Sequence, residues 1–277
     1  MNKIRKRCAA LAAAGAMSLS LAACGGAPSS SAAGSASGSA AAESDVAYIQ
    51  DKGKLVVGIT DFAPMDYKDE SGEWIGFDAD LAKKVAESLG VDVEFIEIEW
   101  GNKILELENK SVDVVWNGMT LNDETRNGME VTEPYCHNSQ VVVVNADVAD
   151  QYQDVESLAD LLFVVEAGSA GEDMAEENGF DFNSVETQAA ALMEVAAGTS
   201  DACIIDLLMA GAMIGEGTDY PELTNTVSLS DEEYGIGCRK GSDLAAYIDG
   251  VLDELYADGT MEEIATTYGV QMALAER

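Results

Sequence analysis

The amino-acid sequence predicts an α/β protein built on mainly parallel sheets, and three observations carry that prediction. Strand-like and helix-like segments alternate from residue 54 to residue 268. The strand-like segments are short β-branched runs, of which the four valines at 141–144 are the clearest. The helix-like segments repeat their apolar residues every three to four positions. Such alternation marks strands joined by crossover helices. Residues 54–59 (KLVVGI) read as a buried strand. Residues 78–89 read as a helix with Leu81, Val85 and Leu89 on one face, stopped by Gly90. Residues 91–98 alternate as a strand, 102–108 form a short helix and 112–115 a further strand. The run 141–145 is too short for a buried helix and suits a buried strand. Residues 163–166 form a strand that leads through Gly168-Ser169-Ala170-Gly171 into a helix ending at Asn178. A helix over 184–197, a strand over 202–205, a helix over 207–214 and a strand over 234–238 follow. Residues 242–258 form a long amphipathic helix with Leu244, Ile248 and Leu252 on its apolar side, and 261–268 form the last helix. No repeat of 20–50 residues is present, which disfavours solenoids and propellers.

The first 45 residues are of another kind. Lys3, Arg5, Lys6 and Arg7 precede a short, Ala-rich apolar stretch ending at Ala23, so residues 1–23 read as a secretory signal rather than a bilayer span. The end of this segment, Leu21-Ala22-Ala23-Cys24, resembles a bacterial lipobox. That resemblance implies cleavage before Cys24, a diacylglyceryl thioether on its sulfur, and anchoring through acyl chains. Residues 24–45 are mostly Gly, Ala and Ser and read as a flexible tether. No later run reaches about 18 apolar residues, so the expected placement is outside the cell membrane, anchored without crossing it.

The charge is one-sided. The chain carries 51 acidic and 15 basic residues, a formal charge of −36. Without residues 1–23, which hold four Lys/Arg and no Asp/Glu, 51 acidic residues face 11 basic ones and the charge is −40. Nucleic acid is therefore excluded as a partner. The acidic residues are scattered, as on a solvated face, while the 47% apolar content suffices for a core. Cys136, Cys203 and Cys238 have no metal-ligand spacing, and no pairing among them follows from sequence. Neighbours on a strand point to opposite faces, so Cys136 and His137 do not form a catalytic pair. No nucleophile elbow, phosphate loop or zinc helix is present, and neither a metal nor a cofactor is expected.

Several phrases, taken in order, carry a family resemblance. They are residues 54–61 (KLVVGITD), 64–67 (PMDY), 76–81 (GFDADL), Gly118-Met119-Thr120, 201–206 (DACIID), 234–237 (YGIG) and 258–264 (DGTMEEI). Together they resemble the polar amino-acid solute-binding proteins of ABC importers, bacterial extracellular family 3. The resemblance implies a two-lobed periplasmic-binding-protein-like fold of type II, each lobe a mainly parallel sheet flanked by helices, joined by two hinge strands. Lobe 1 would comprise residues 46–139 and 239–277, and lobe 2 residues 140–238, with hinges near 140–145 and 233–237. A monomer would capture a small amino acid or analogue in the cleft and pass it to the permease subunits.

The resemblance also implies a ligand set. Asp61 would make a polar contact, and Phe62 and Trp100 would stack on the ligand. Gly118 and Thr120 would bind its ammonium and carboxylate. Ser169 and Ala170 would offer donors at a helix N-terminus, and Asp206 would accept the α-ammonium. Relatives place a carboxylate-clamping arginine five residues after Thr120; here that position is Thr125 and the arginine is Arg126. Either a rearranged turn brings Arg126 into the cleft or it is a surface charge, a one-residue shift on a helix being about 100°. Glu166 falls where relatives carry specificity-setting residues. With Asp61 and Asp206 it would make the cleft acidic, which points to a ligand with more positive than negative charge. An enzyme on the same fold, using Glu166 or Asp61 as general acid, and an extracellular sensor are the competing classes.

Overall fold

The computed structural model describes residues 44–277. The expected signal segment, Cys24 and the tether up to residue 43 lie outside the described residues. Helix α1 (Asp45–Lys52) leads into β1 (Lys54–Ile59). A hairpin of β2 (Tyr67–Lys68) and β3 (Trp74–Ile75) is followed by α2 (Phe77–Leu89), β4 (Asp92–Glu97), α3 (Lys103–Glu108), β5 (Val114–Thr120) and α4 (Asp123–Gly128). Short strands β6 (Glu130–Val131) and β7 (Cys136–Asn138) precede β8 (Gln140–Asn145), β9 (Leu162–Glu166), α5 (Ala170–Asn178), β10 (Asp181–Val185) and α6 (Gln188–Ala197). Then come β11 (Ala202–Asp206), α7 (Leu207–Met213), β12 (Leu223–Ser228), β13 (Glu232–Cys238), α8 (Leu244–Ala257) and α9 (Thr260–Tyr268).

The strands form two sheets, ordered β4-β1-β5-β13-β6, with β7 also on β13, and β10-β9-β11-β8-β12. Alternation of side chains explains why the strands are apolar throughout. Leu55, Val57 and Ile59 of β1 face α2, whereas Val56 joins Val112, Val115 and Trp100 on the other face. In β8, Val141 and Val143 pack with Leu192 and Val195, and Val142 and Val144 pack with Phe163 and Ile204.

Each sheet is mixed. β4, β1 and β5 are parallel, as are β10, β9 and β11, but β13 runs antiparallel to β5 and β8 antiparallel to β11. The chain thus leaves the first sheet between β7 and β8 and returns between β12 and β13. This places β13 in the first sheet, although the sequence expectation assigns residues 140–238 to the second lobe. The reason is packing: Tyr234, Ile236 and Cys238 are buried in the first sheet's core, with Tyr234 opposite Thr120. The expected helix over 184–197 is also corrected. Its first residues belong to the edge strand β10, and Thr187 starts the helix by accepting the Ala190 N–H at 3.1 Å. At the other end, Ser44 and Asp45 are folded rather than part of the tether. Ser44 caps α1, and the Asp45 carboxylate takes the Arg239 guanidinium at 2.8 Å. The three described cysteines are free and buried, and His137 is exposed.

Candidate functional site

Where the two sheets face each other lies a small, partly open cavity of about 20 Å³. Trp100, Lys103, Gly118, Thr120 and Thr125 line it from the first lobe, and Glu166, Ser169, Ala170, Gln188 and Asp206 from the second. Seven of the ten residues singled out from the sequence are therefore brought together. The strand ends explain it: Thr120 closes β5, Glu166 closes β9 and Asp206 closes β11.

Asp206 is the most heavily bonded of them. Its Oδ1 accepts from Asn138 Nδ2 at 2.5 Å, Gln140 Nε2 at 2.9 Å and the Tyr234 hydroxyl at 2.5 Å, and its Oδ2 accepts from Gln188 Nε2. Burial still pushes this carboxyl up to about 7, and Glu232 adds to the rise, against the donors from Tyr234, Gln188 and Gln140. The same Asn138 and Gln140 amides each donate to Glu232 Oε2 at 3.1 Å, as does the Thr120 hydroxyl at 3.1 Å. Glu166 is only 3% exposed, and its Oε1 has no hydrogen-bond partner. Burial, then the Asp206 charge, push the Glu166 carboxyl up to about 8, against Gln188, Lys103 and Thr60.

The helix end at the cavity is partly committed. Gly168 donates its N–H to Glu172 Oε2 at 2.7 Å, and Ser169 Oγ accepts from Glu172 N at 3.2 Å. Ala170 opens α5, so its N–H is one of the four that a helix leaves without an intrahelical acceptor. Gly118 directs its N–H away from the cavity, to the buried Asp78 carboxylate at 2.7 Å. Its φ of 56° suits glycine, and a Cβ there would come within 2.5 Å of the Phe62 ring.

Three expected residues do not line the cavity. Phe62 lies behind Gly118, edge-on to Tyr234 with ring centroids 6.5 Å apart, as a core residue. Asp61 is exposed beyond the end of β1. Arg126 is turned outward, 3.9 Å from Glu233, with Nε donating to the Leu121 carbonyl at 3.4 Å. The cause is the local cap: Asn122 and Thr125 form a reciprocal capping box that fixes α4, so Thr125 faces the cavity and the next residue faces solvent.

Sequence reasoning missed Lys103, Gln188 and the amides Asn138 and Gln140. A signal for Lys103 exists: it stands four residues before Leu107, on the one buried face of α3. Its ammonium donates across the seam to the Gly168 carbonyl at 2.9 Å, meets Glu124 at 3.1 Å and lies 5.4 Å from the centre of the Trp100 ring. Asn122 Nδ2 also crosses the seam, to Asp173 at 3.2 Å. The backbones touch where Gly168, with φ of 71°, would put a Cβ 2.5 Å from Gly101 Cα.

Comparison with known proteins agrees with this architecture. Residues 55–271 match the family model described as bacterial extracellular solute-binding proteins, family 3. The L-cystine-binding protein TcyJ of Escherichia coli K12 is 24% identical over 221 residues, covering 78% of this chain and 83% of its own. An ABC uptake transporter substrate-binding protein from Streptococcus pneumoniae with bound histidine has a TM-score of 0.78 at 25% identity, covering 85% of this chain and 100% of its own. The arginine-bound form of a truncated ArgBP from T. maritima has a TM-score of 0.71 at 32% identity, covering 76% and 99%.

Proposed function

From the premise that this chain belongs to the bacterial extracellular solute-binding proteins, family 3, we propose that it captures an amino acid bearing net positive charge between its lobes and hands it to an ABC importer. The observation that carries the charge preference is Glu166, a buried carboxyl with an unpartnered oxygen beside Asp206 in the cavity wall. Ionising both acids there is costly unless a cation joins them. Lys103 offsets one charge, and a cationic ligand offsets the other. The relatives' cystine, histidine and arginine support an amino acid as the ligand class. A cavity of about 20 Å³ has room for a water rather than an amino acid, so the lobes part to admit and hold one, as hinge motion about the two crossings between the sheets.

The same reading makes the protein a binder rather than an enzyme, a monomer, and a lipoprotein held outside the cell by Cys24. The expected contact set is Trp100, Thr120, Ser169, Ala170 and Asp206, joined by Glu166. A thermal-shift panel of the common amino acids, polyamines and short peptides tests it. A ligand at 100 times its Kd adds about 2.7 kcal/mol of stability. A panel in which basic amino acids give no shift, while neutral or acidic ones do, refutes the charge preference; no shift with any amino acid refutes the ligand class.

A further inference from the structure

We propose that Lys103 determines specificity in the cleft by taking the ligand's carboxylate, the task that family resemblance gives to an arginine at position 125. The inference rests on the amino-acid reading above. The side chain at position 125 is already committed: the Thr125 hydroxyl donates to the Thr120 carbonyl at 3.0 Å and accepts the Asn122 N–H at 3.0 Å. Arg126 is on the outer surface. Among the described residues lining the cavity, Lys103 is the one Lys or Arg.

Its setting suits an anion. The residue is 3% exposed, and a buried ammonium needs its charge and donors satisfied. Two of its three donors go to the Gly168 carbonyl and Glu124. Glu124 is a rim residue, 56% exposed, and pairing with it does not require a buried lysine. A surface lysine would do that as well, at lower desolvation cost. Gly168 precedes Ser169, the N-cap of α5, so the ammonium bonded to its carbonyl lies beside the first N–H groups of that helix. Glu166 and Asp206 supply the acidic groups of the same wall. The cavity therefore has a site for a carboxylate and a site for cations. A zwitterion with an additional cationic group fits both.

The test is titration calorimetry on the purified protein with three probe pairs: L-arginine and agmatine, L-lysine and cadaverine, L-histidine and histamine. Each pair differs by the carboxylate. Wild type is expected to prefer the amino acid. Lys103→Met should weaken amino-acid binding by about 30-fold or more, as loss of one partner of a buried charge pair does, while changing amine binding by less than about threefold. Lys103→Arg should restore most of the preference. Glu124→Gln, a rim substitution compatible with folding, frees the ammonium and should tighten amino-acid binding by about threefold. Equal losses for amino acid and amine in Lys103→Met would make Lys103 a brace between lobes and overturn the inference. So would amino-acid binding that Lys103→Met leaves intact, or a Glu124→Gln variant that binds amino acids no better than wild type; neither result touches the amino-acid reading. Wild-type protein that binds none of the three amino acids overturns the inference together with the charge preference, and the amino-acid reading falls with them only if no other amino acid binds.

Discussion

If Glu166 pairs with a cationic ligand, as proposed above, ligand affinity is a function of pH, and the size of the effect follows from the surroundings of this carboxyl. The carboxyl titrates near 8 in the folded protein against an ordinary value of 4.5, because it is buried beside Asp206. At pH 7 about one molecule in ten therefore carries the charge that a cationic ligand pairs with. Ionising the rest costs about 1.4 kcal/mol, a tenfold penalty on affinity. Raising the pH from 7 to 9 should recover about tenfold in affinity as Glu166 ionises. Calorimetry with L-arginine from pH 6 to 9, in two buffers of different ionisation enthalpy, should detect release of about one proton per ligand at pH 7. Glu166→Gln should flatten most of the profile. An affinity independent of pH, or an unchanged slope in Glu166→Gln, would refute the assignment. Stability has the opposite sign. The folded state holds this proton more tightly than the unfolded chain, so its contribution is full below pH 4.5 and is lost as pH rises to about 8. The loss amounts to about 5 kcal/mol over that window, and Glu166→Gln should unfold at higher temperature than wild type at pH 8.5.

Arg126→Ala should leave ligand affinity within about twofold and stability within about 0.5 kcal/mol, because an exposed ion pair at 3.9 Å contributes little. A tenfold loss by calorimetry would return Arg126 to the binding site. Gly168→Ala should cost about 1 kcal/mol of stability through its positive φ and reduce affinity further through the clash with Gly101. Gly179→Ala, at a similar φ of 70° but with open space around the added Cβ, should show only the stability loss in thermal melts; equal affinity in the two variants would rule out the seam as a closing surface. Cys24→Ala should release the protein from membranes or leave it unprocessed on fractionation, and a membrane-bound product of mature size would end the lipoprotein reading.

The parts of the fold legible in the sequence are those with both faces buried. The valine run of β8 and the β-branched β1 announce themselves because no polar residue interrupts them. β10 (DFNSV) and β12 (LTNTVS) lie at sheet edges with half their side chains toward solvent, so their composition reads as loop or helix start. Burial of β13 was legible, but not the sheet it joins, since strand direction depends on pairing with β5 rather than on local pattern. At the site, the strand ends and the Gly168-Ser169 turn were visible as motifs. Lys103 was not, because a lysine in a short helix ordinarily marks its wet side, and its spacing from the buried Leu107 was the one hint that it does not. Thr125 and Arg126 were legible as a departure from a pattern. The outcome there depended on the Asn122 cap, whose Asn-x-x-Thr spacing is present in the sequence but gains meaning only from the turn of backbone it fixes.

The amides Asn138 and Gln140 flank the outgoing crossing between the sheets, and Glu232 and Tyr234 follow the returning one. Asn138, Gln140 and Tyr234 donate to Asp206, and the two amides also donate to Glu232. In mechanical terms, the fulcrum and the load are one bonded unit. If ligand binds at Asp206, as proposed, a change of ligand would also alter the stiffness of the pivot. Selectivity and the rate of ligand exchange would then be coupled quantities. Redesign that alters only the cavity wall will shift its opening rate as well, and substitutions at Asn138 or Gln140, outside the cavity lining, are the places from which that rate can be retuned.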